Sequence, residues 1–385
     1  MSARAMIVVA VAAVLLVLLA LYGHHRSAMG GGSNSGALLL PKLKAQLNDV
    51  DQVRIEKGGH KTIATLKRTS TGWTVAEKGG YPADIAKIRS ALIALSEAKI
   101  IERETTDPKF YSRLGLEPIK LDSATGTAVT ITGPDHPPPT IILGGTEGSQ
   151  YRYARLENQA QSYLLDKNPD VPGDTTQWLD AAILNVPGKR VQDVTIRHTD
   201  GETLKISKTK PTDTNFTVAD VPKGRGLLYP GVADVIGDSL RELKLQDVSR
   251  DDDGSAKPDV TAVFHTFDGL IVTAKGGKRD GKSWVTFAAS IDPQRLPAAA
   301  DKQAAKNSGD DKPAGKSATE AKTGSAPGKT AAGKLTAADI RAEAKTINAK
   351  VSGWRYQIPS YQYDQITRRM ADLLKAQKKA KTAAH

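Results

Sequence analysis

The stretch VRIEKGGHKTIATLKRTSTGWTVAE, residues 53–77, returns in altered form as VTIRHTDGETLKISKTKPTDTNFTVAD, residues 194–220. Val53-Arg54-Ile55 aligns with Val194-Thr195-Ile196. Gly59, Thr62 and Leu66 align with Gly201, Thr203 and Leu204, and Trp73-Thr74-Val75-Ala76-Glu77 with Phe216-Thr217-Val218-Ala219-Asp220. In each copy β-forming residues alternate around a glycine turn, Gly58-Gly59 in one and Asp200-Gly201 in the other. That is the pattern of a hairpin followed by a third strand. A pattern that recurs within one chain points to an architecture built from repeated units.

A helix is expected after each copy. Tyr81-Pro82 and Tyr229-Pro230 mark the two starts, since proline suits a first helical turn. Ile85, Ile88, Leu92 and Leu95 then recur at helical spacing, matched by Ala233, Ile236, Leu240 and Leu243. Such a face has to cover a sheet. The expected fold class is α+β: repeated units of antiparallel strands plus a covering helix, behind a single N-terminal transmembrane helix.

Between and beyond the copies the chain remains β-like, with Val129-Thr130-Ile131, Ile141-Ile142-Leu143, Tyr151-Arg152-Tyr153-Ala154-Arg155 and Tyr163-Leu164-Leu165. Residues 261–267, 270–274 and 284–287 form another strand set, with Asp268-Gly269 as a turn. Residues 293–334 are Ala/Lys/Gly/Ser/Asp-rich and bury too little apolar area to order themselves. A helix at 337–349, a strand Trp354-Arg355-Tyr356-Gln357-Ile358 and a final helix at 364–375 are expected to follow. The resulting organisation is an anchor and flexible spacer (1–36), a first sheet-plus-helix unit (37–125) and an intervening β-rich segment (126–187). After these come a second sheet-plus-helix unit (188–250), a further β segment (251–292), a disordered linker (293–335) and a helix-strand-helix with a basic tail (336–385).

Residues 5–22 are 18 consecutive apolar residues, about 27 Å of helix, which is close to the hydrocarbon thickness of a bilayer. Leu21-Tyr22-Gly23-His24-His25-Arg26 puts bulky and charged residues where a signal-peptide cleavage site would be, so an uncleaved signal anchor is expected. Arg4 on one side and Arg26, Lys42 and Lys44 on the other leave charge a poor guide to orientation. The formal net charge is +12. From Asp301 to His385 there are 17 Lys/Arg against 8 Asp/Glu, so most of the basic excess belongs to the tail. Aromatics at 5% argue against a large base-stacking surface, and the chain has no cysteine, which excludes disulfides, thiol catalysis and lipoprotein acylation.

No catalytic, cofactor-binding or metal-ligating residue is assigned. His24, His25, His60, His136, His198, His265 and His385 include no pair at the helical i, i+4 spacing of a zinc site. His60 and His198 fall at the hairpin turns. Asp251-Asp252-Asp253-Gly254 lacks the alternating carboxylates and distal glutamate of a calcium loop. Gly144-Gly145-Thr146-Glu147-Gly148-Ser149 has no following Gly-Lys-Ser/Thr and reads as a hairpin turn rather than a phosphate cradle. Tyr151 to Arg155 interleaves aromatics with arginines, either as a polyanion platform or as two ordinary strand faces.

Trp73-Thr74-Val75, Gly80-Tyr81-Pro82-Ala83-Asp84, Pro108, Tyr111, Leu114-Gly115-Leu116, Trp178-Leu179 and Asp200-Gly201-Glu202 together resemble the bacterial membrane-protein family with the domain of unknown function DUF 4340. The resemblance covers residues 39–248, with 354–374 similar to the family's closing segment. The linker at 293–334 departs from the family's compact pattern. The resemblance implies no catalytic residues. It implies an envelope-facing partner of an ABC-type export or gliding-related auxiliary system. The expected function is therefore a non-enzymatic accessory or scaffold protein of a bacterial inner-membrane complex, single-pass, with its main body periplasmic. Its expected partners are proteins of that complex and, through the N-terminal helix, the membrane; no cofactor and no nucleic acid are expected. The alternative is a binding module for an envelope polymer, peptidoglycan or an anionic polysaccharide.

Overall fold

The computed structural model describes residues 36–251, 257–279, 281–297 and 335–376. The expected anchor, nearly all of the expected linker and the end of the basic tail lie outside them. Among the described residues no helix is long and apolar enough to cross a membrane. The chain divides into two compact units, Met1–Asp180 and Ala181–His385, and the described parts are antiparallel sheets with a few helices, an α+β fold.

The first unit holds strands β1 (Gln52–Lys57), β2 (Lys61–Thr69), β3 (Gly72–Val75), β4 (Tyr81–Pro82), β5 (Ile100–Arg103), β6 (Thr127–Thr132), β7 (Ile141–Glu147), β8 (Tyr151–Leu156) and β9 (Ser162–Leu165). They form one sheet in the order β4-β3-β2-β1-β6-β7-β8-β9-β5. Helix α1 (Ile85–Glu97) lies between β4 and β5 in the chain. Its start differs from the expected one. Tyr81-Pro82 is a short edge strand paired with Val75 and Thr74, a place where proline's missing N–H costs nothing. Asp84 caps the helix instead, accepting the Lys87 N–H at 3.0 Å. Ile88, Leu92 and Leu95 are buried as the spacing implied, whereas Ile85 is exposed. Together with Val53, Ile55, Leu66, Val129 and Trp178 they surround a residual void of only about 10 Å³, so this layer is packed as densely as an ordinary interior.

The second unit holds β10 (Ala182–Leu184), β11 (Val191–His198), β12 (Thr203–Ser207), β13 (Thr217–Val218), β14 (Leu243–Lys244), β15 (Asp247–Arg250), β16 (Val260–Thr266), β17 (Leu270–Arg279), β18 (Lys282–Ile291) and β19 (Trp354–Gln357). β10 pairs with β14, and the other eight form a sheet ordered β13-β12-β11-β16-β17-β18-β19-β15. That order is the order of the first unit with β4 left off. In both, three strands fold back on one another and the next four continue from the first strand. The strand that follows the helical segment then closes the far edge. The duplication therefore extends past the two quoted stretches. Residues 127–165 complete the first sheet, and residues 260–291 with 354–357 complete the second.

The second helical segment is shorter than its counterpart. Short helix α2 (Tyr111–Leu114) belongs to the first unit, and α3 (Asp234–Gly237) is all that forms in the second helical segment that follows the repeated strands. Gly231 and Gly237 interrupt the run, and glycine is a poor helix former. The expected face is buried nonetheless, with Ala233, Ile236, Leu240 and Leu243 each at most 1% exposed. Trp73 and Phe216 share one register position, each two residues before the valine opposite the middle strand, Val75 with Leu66 and Val218 with Ile206. Phe216 is buried, while Trp73 is half-buried.

Helix α4 (Ala337–Val351) starts at a Thr336–Asp339 capping box and packs on β18. The expected long final helix is replaced by α5 (Ser360–Ile366) and one 3₁₀ turn, Met370–Leu373. The break comes at Arg369, which is extended and pairs with Asp200 at 2.8 Å and with Glu202. Gly115 caps α2 in the left-handed conformation, φ 67°, as its place before Leu116 suggests.

Candidate functional site

In the first unit the sheet has one face under α1 and the other under the β5–β6 connection, residues 104–126. Tyr111 and Leu116 pack on Ile142, and Ile119 and Ala124 pack on Ala128. Arg155, also on this face, is buried without a carboxylate. Its guanidinium donates to the carbonyls of Leu116 at 3.2 Å, Glu157 at 3.2 Å and Gln159 at 3.0 Å. It also lies 4.7 Å from the centre of the Tyr111 ring, and burial holds its pKa below the usual arginine range. The Tyr151-to-Arg155 pattern is thus two strand faces, with Arg155 serving the interior. The connection runs so close to β7 that a Cβ on Gly144 would sit 2.1 Å from the Leu114 carbonyl oxygen. Glycine is needed there to admit backbone. Most of that glycine-rich stretch is thus strand β7, and only Gly148-Ser149 lies in the β7–β8 hairpin turn.

The corresponding connection in the second unit, between β15 and β16, is residues 251–259, less than half as long. Cross-strand register identifies the equivalent positions. Ile55 and Ile196 are partners of Val129 and Ala262. Following the ladders outward, Ala128 corresponds to Thr261, Ile142 to Lys275, Leu143 to Gly276, Ala154 to Val285 and Arg155 to Thr286; next along the chain, where a bulge interrupts β7, come Gly144 beside Gly277 and Tyr153 beside Trp284. Where the first unit buries an apolar seam beneath its own connection, the second presents lysine and threonine.

A cleft of about 210 Å³ opens at this place, lined by Lys257, Asp259, Lys275, Gly277, Lys278, Arg279, Trp284, Thr286, Arg355 and Asp251, among others. Five cationic side chains face two carboxylates, which gives the cleft a positive potential. The Arg355 guanidinium lies over the Trp284 ring, 5.6 Å from its centre, and its Nη2 reaches Ser249 Oγ at 3.4 Å. Its Nε is buried without a hydrogen-bond partner. A guanidinium beside an aromatic ring keeps a donor fork suited to a carboxylate or phosphate. Asp259 is fixed by the Lys278 N–H, which it accepts at 3.0 Å. Below, on the core side, Tyr363 lies against Gly276. Burial, then Asp259 and Asp364, push the Tyr363 hydroxyl up to about 12.

The histidines scatter. His60 sits exposed at φ 54° in the turn after β1, and His198 Nε2 is 3.4 Å from the Arg368 carbonyl oxygen. His265 was not singled out in the sequence, yet its Nδ1 is 2.7 Å from Asp193 Oδ1, and Arg295 holds the other carboxylate oxygen at 2.9 Å. Ser207 pairs with Asp193 on the side away from His265. The carboxylate therefore lies between hydroxyl and imidazole, the wrong order for a Ser-His-Asp relay, which needs the imidazole in the middle. Among the described residues no group of three or more His, Asp or Glu is placed to hold a metal ion.

The fold and this cleft define a duplicated antiparallel-sheet module with one face covered by its own connection in the first copy and, among the described residues, uncovered in the second. Residues 73–260 match the family model described as Domain of unknown function (DUF4340). The match runs from β3 into β16 and so takes in only the third strand of the repeated pattern in the first unit and the whole of it in the second. Of the cleft residues it includes Asp251, Lys257 and Asp259, but stops before Lys275, Trp284 and Arg355. No curated protein and no solved structure matches the chain.

Proposed function

We propose that this chain is a non-enzymatic accessory or scaffold protein of a bacterial inner-membrane complex, tethered by residues 5–22 with its two units in the periplasm. The observation that carries the reading is the asymmetry between the copies. A closed sheet is a structural element, whereas an equivalent sheet left open and polar is a surface on which another molecule can sit. The apolar run at residues 5–22 supports the tether. The DUF4340 match and the resemblance to membrane proteins of export-type or gliding-related systems support the setting.

Purification from membranes in mild detergent tests this directly. Integral-membrane subunits recovered in fixed stoichiometry are the expected result. Retention on cell-wall material with no subunit recovered would refute the scaffold and favour the second reading, a binding module for an anionic envelope polymer. That reading draws its support from the five cations of the cleft. A reporter fused at the C-terminus should be active only if it is a type that works outside the cytoplasm.

A further inference from the structure

We propose that the open cleft of the second unit binds an extended, acidic polypeptide segment of a partner protein, laid across β17 and β18 where the first unit lays its own residues 104–126. The proposal rests on the scaffold reading and supplies the chemistry of its contact.

Three observations lead there. First, the equivalent face of the first unit is occupied by polypeptide, so the fold already accommodates a chain on this side of the sheet. Secondly, Gly277 follows Gly276, the register equivalent of Leu143, just as Gly144 follows Leu143 into the β7 bulge, and Gly144 is the residue whose missing side chain admits the Leu114 carbonyl. Among the described residues of the second unit nothing of that kind fills the space. The nearest atom to a Cβ on Gly277 would be an Asp259 carboxylate oxygen at an ordinary 3.4 Å. The position is shaped for a close backbone approach and is open to one. Thirdly, the apolar partner of the first unit's connection, Ile142, is replaced by exposed Lys275 beside Trp284 and Arg355. A segment that docks here must carry acidic side chains rather than the Leu116 and Ile119 of the internal version.

The two carboxylates argue for peptide over a uniform polyanion. Asp251 and Asp259 line the same cleft and would repel a chain bearing a phosphate or sulfate on every repeat. A peptide can set its own N–H groups against them while its glutamates or aspartates meet Lys275 and Arg355.

The test uses the full-length protein in detergent and a short fluorescein-labelled peptide of alternating glutamate and serine, followed by anisotropy. Binding that weakens with salt is expected, with none for the matching lysine peptide. Lys275→Glu should weaken binding about tenfold. Gly277→Val, which has room in the free protein, should do so at least as strongly with an unchanged melting temperature. Wild-type binding unaffected by both variants, or polyphosphate binding more tightly than the peptide, overturns the proposal. If integral-membrane subunits co-purify while the peptide does not bind, the cleft proposal fails and the scaffold reading stands. If the peptide binds and no subunit co-purifies, the cleft is supported and the scaffold reading fails.

Discussion

Phe216 and Gly237 offer a sharp test of how the second copy closes its core. The Phe216 ring lies so close to α3 that a Cβ on Gly237 would come within 2.3 Å of its Cε2 and 2.5 Å of its Cζ. On its other side the ring meets Lys208 Nζ, 4.4 Å from its centre. Phe216 is 5% exposed, and truncating a buried phenylalanine costs about 3–5 kcal/mol. One wall of the resulting hole is helix backbone, which cannot collapse, and the other is a lysine that can swing in. The expected loss for Phe216→Ala is therefore near the lower end, about 3 kcal/mol. Gly237→Ala alone forces an extra methyl group into the ring and should cost about 1–3 kcal/mol. With the ring gone, that methyl group enters the hole and the residue gains a better helix former. Gly237→Ala should then become neutral or stabilising by about 0.5–1 kcal/mol. The double-mutant cycle should thus show a coupling of about 1–4 kcal/mol in urea unfolding. Additivity within about 0.5 kcal/mol would refute the packing argument.

Three further outcomes follow from the geometry. Arg155→Ala strands several buried carbonyls and should destabilise the first unit by about 3 kcal/mol or more. Arg155→Lys should rescue little of this, because an ammonium cannot reproduce the flat fork, and limited proteolysis should then cut within residues 104–126. For Tyr363 the fold favours the neutral hydroxyl, its pKa being raised to about 12. Its contribution is intact below the ordinary tyrosine value of about 10 and is lost as pH rises from there through about 12. Tyr363→Phe should flatten that part of the pH–stability profile, and an unchanged slope would count against the assignment. Asn348 accepts the Ala289 N–H at 2.8 Å and donates to the Ala289 carbonyl at 2.7 Å, standing in for a neighbouring strand. Asn348→Ala should cost about 1–2 kcal/mol and promote self-association by gel filtration, since an uncovered edge is a template for pairing.

The strand-and-turn pattern was legible wherever side chains alternate. The hairpins β1–β2 and β11–β12, the buried spacing of Ile88, Leu92 and Leu95, and the cap at Gly115 all follow from local rules. The extent of the duplication was not. Strands β6–β9 and β16–β19 are equivalent by register, and their outward residues have diverged too far to align by eye, Ile142 against Lys275 and Arg155 against Thr286. The closing of each sheet by β5 and β15 is a non-local pairing that periodicity does not encode. The cleft was hidden for a related reason. Its residues come from three strands and a loop, and its cations are each an ordinary surface lysine or arginine when taken alone. One signal was available: both copies place a glycine pair in the strand after the turn, Gly144-Gly145 in β7 and Gly276-Gly277 in β17. Its meaning depends on the Leu114 carbonyl, which only the folded chain puts there.

Strand β15 has no strand neighbour except β19 among the described residues. Its partner residues are far away in the chain, Ser249 opposite Arg355. During vectorial synthesis the first sheet has all nine of its strands once Leu165 has emerged. The second must wait with β15 unpaired and the far half of β18 uncovered until α4 and β19 are made. A nascent chain in that interval exposes two sheet margins at once, the condition under which mispairing competes with folding. Translation that stalls between β18 and β19 should leave a finished first unit joined to an adhesive, incomplete second one. For this fold the timing of α4 and β19 therefore matters as well as their final packing.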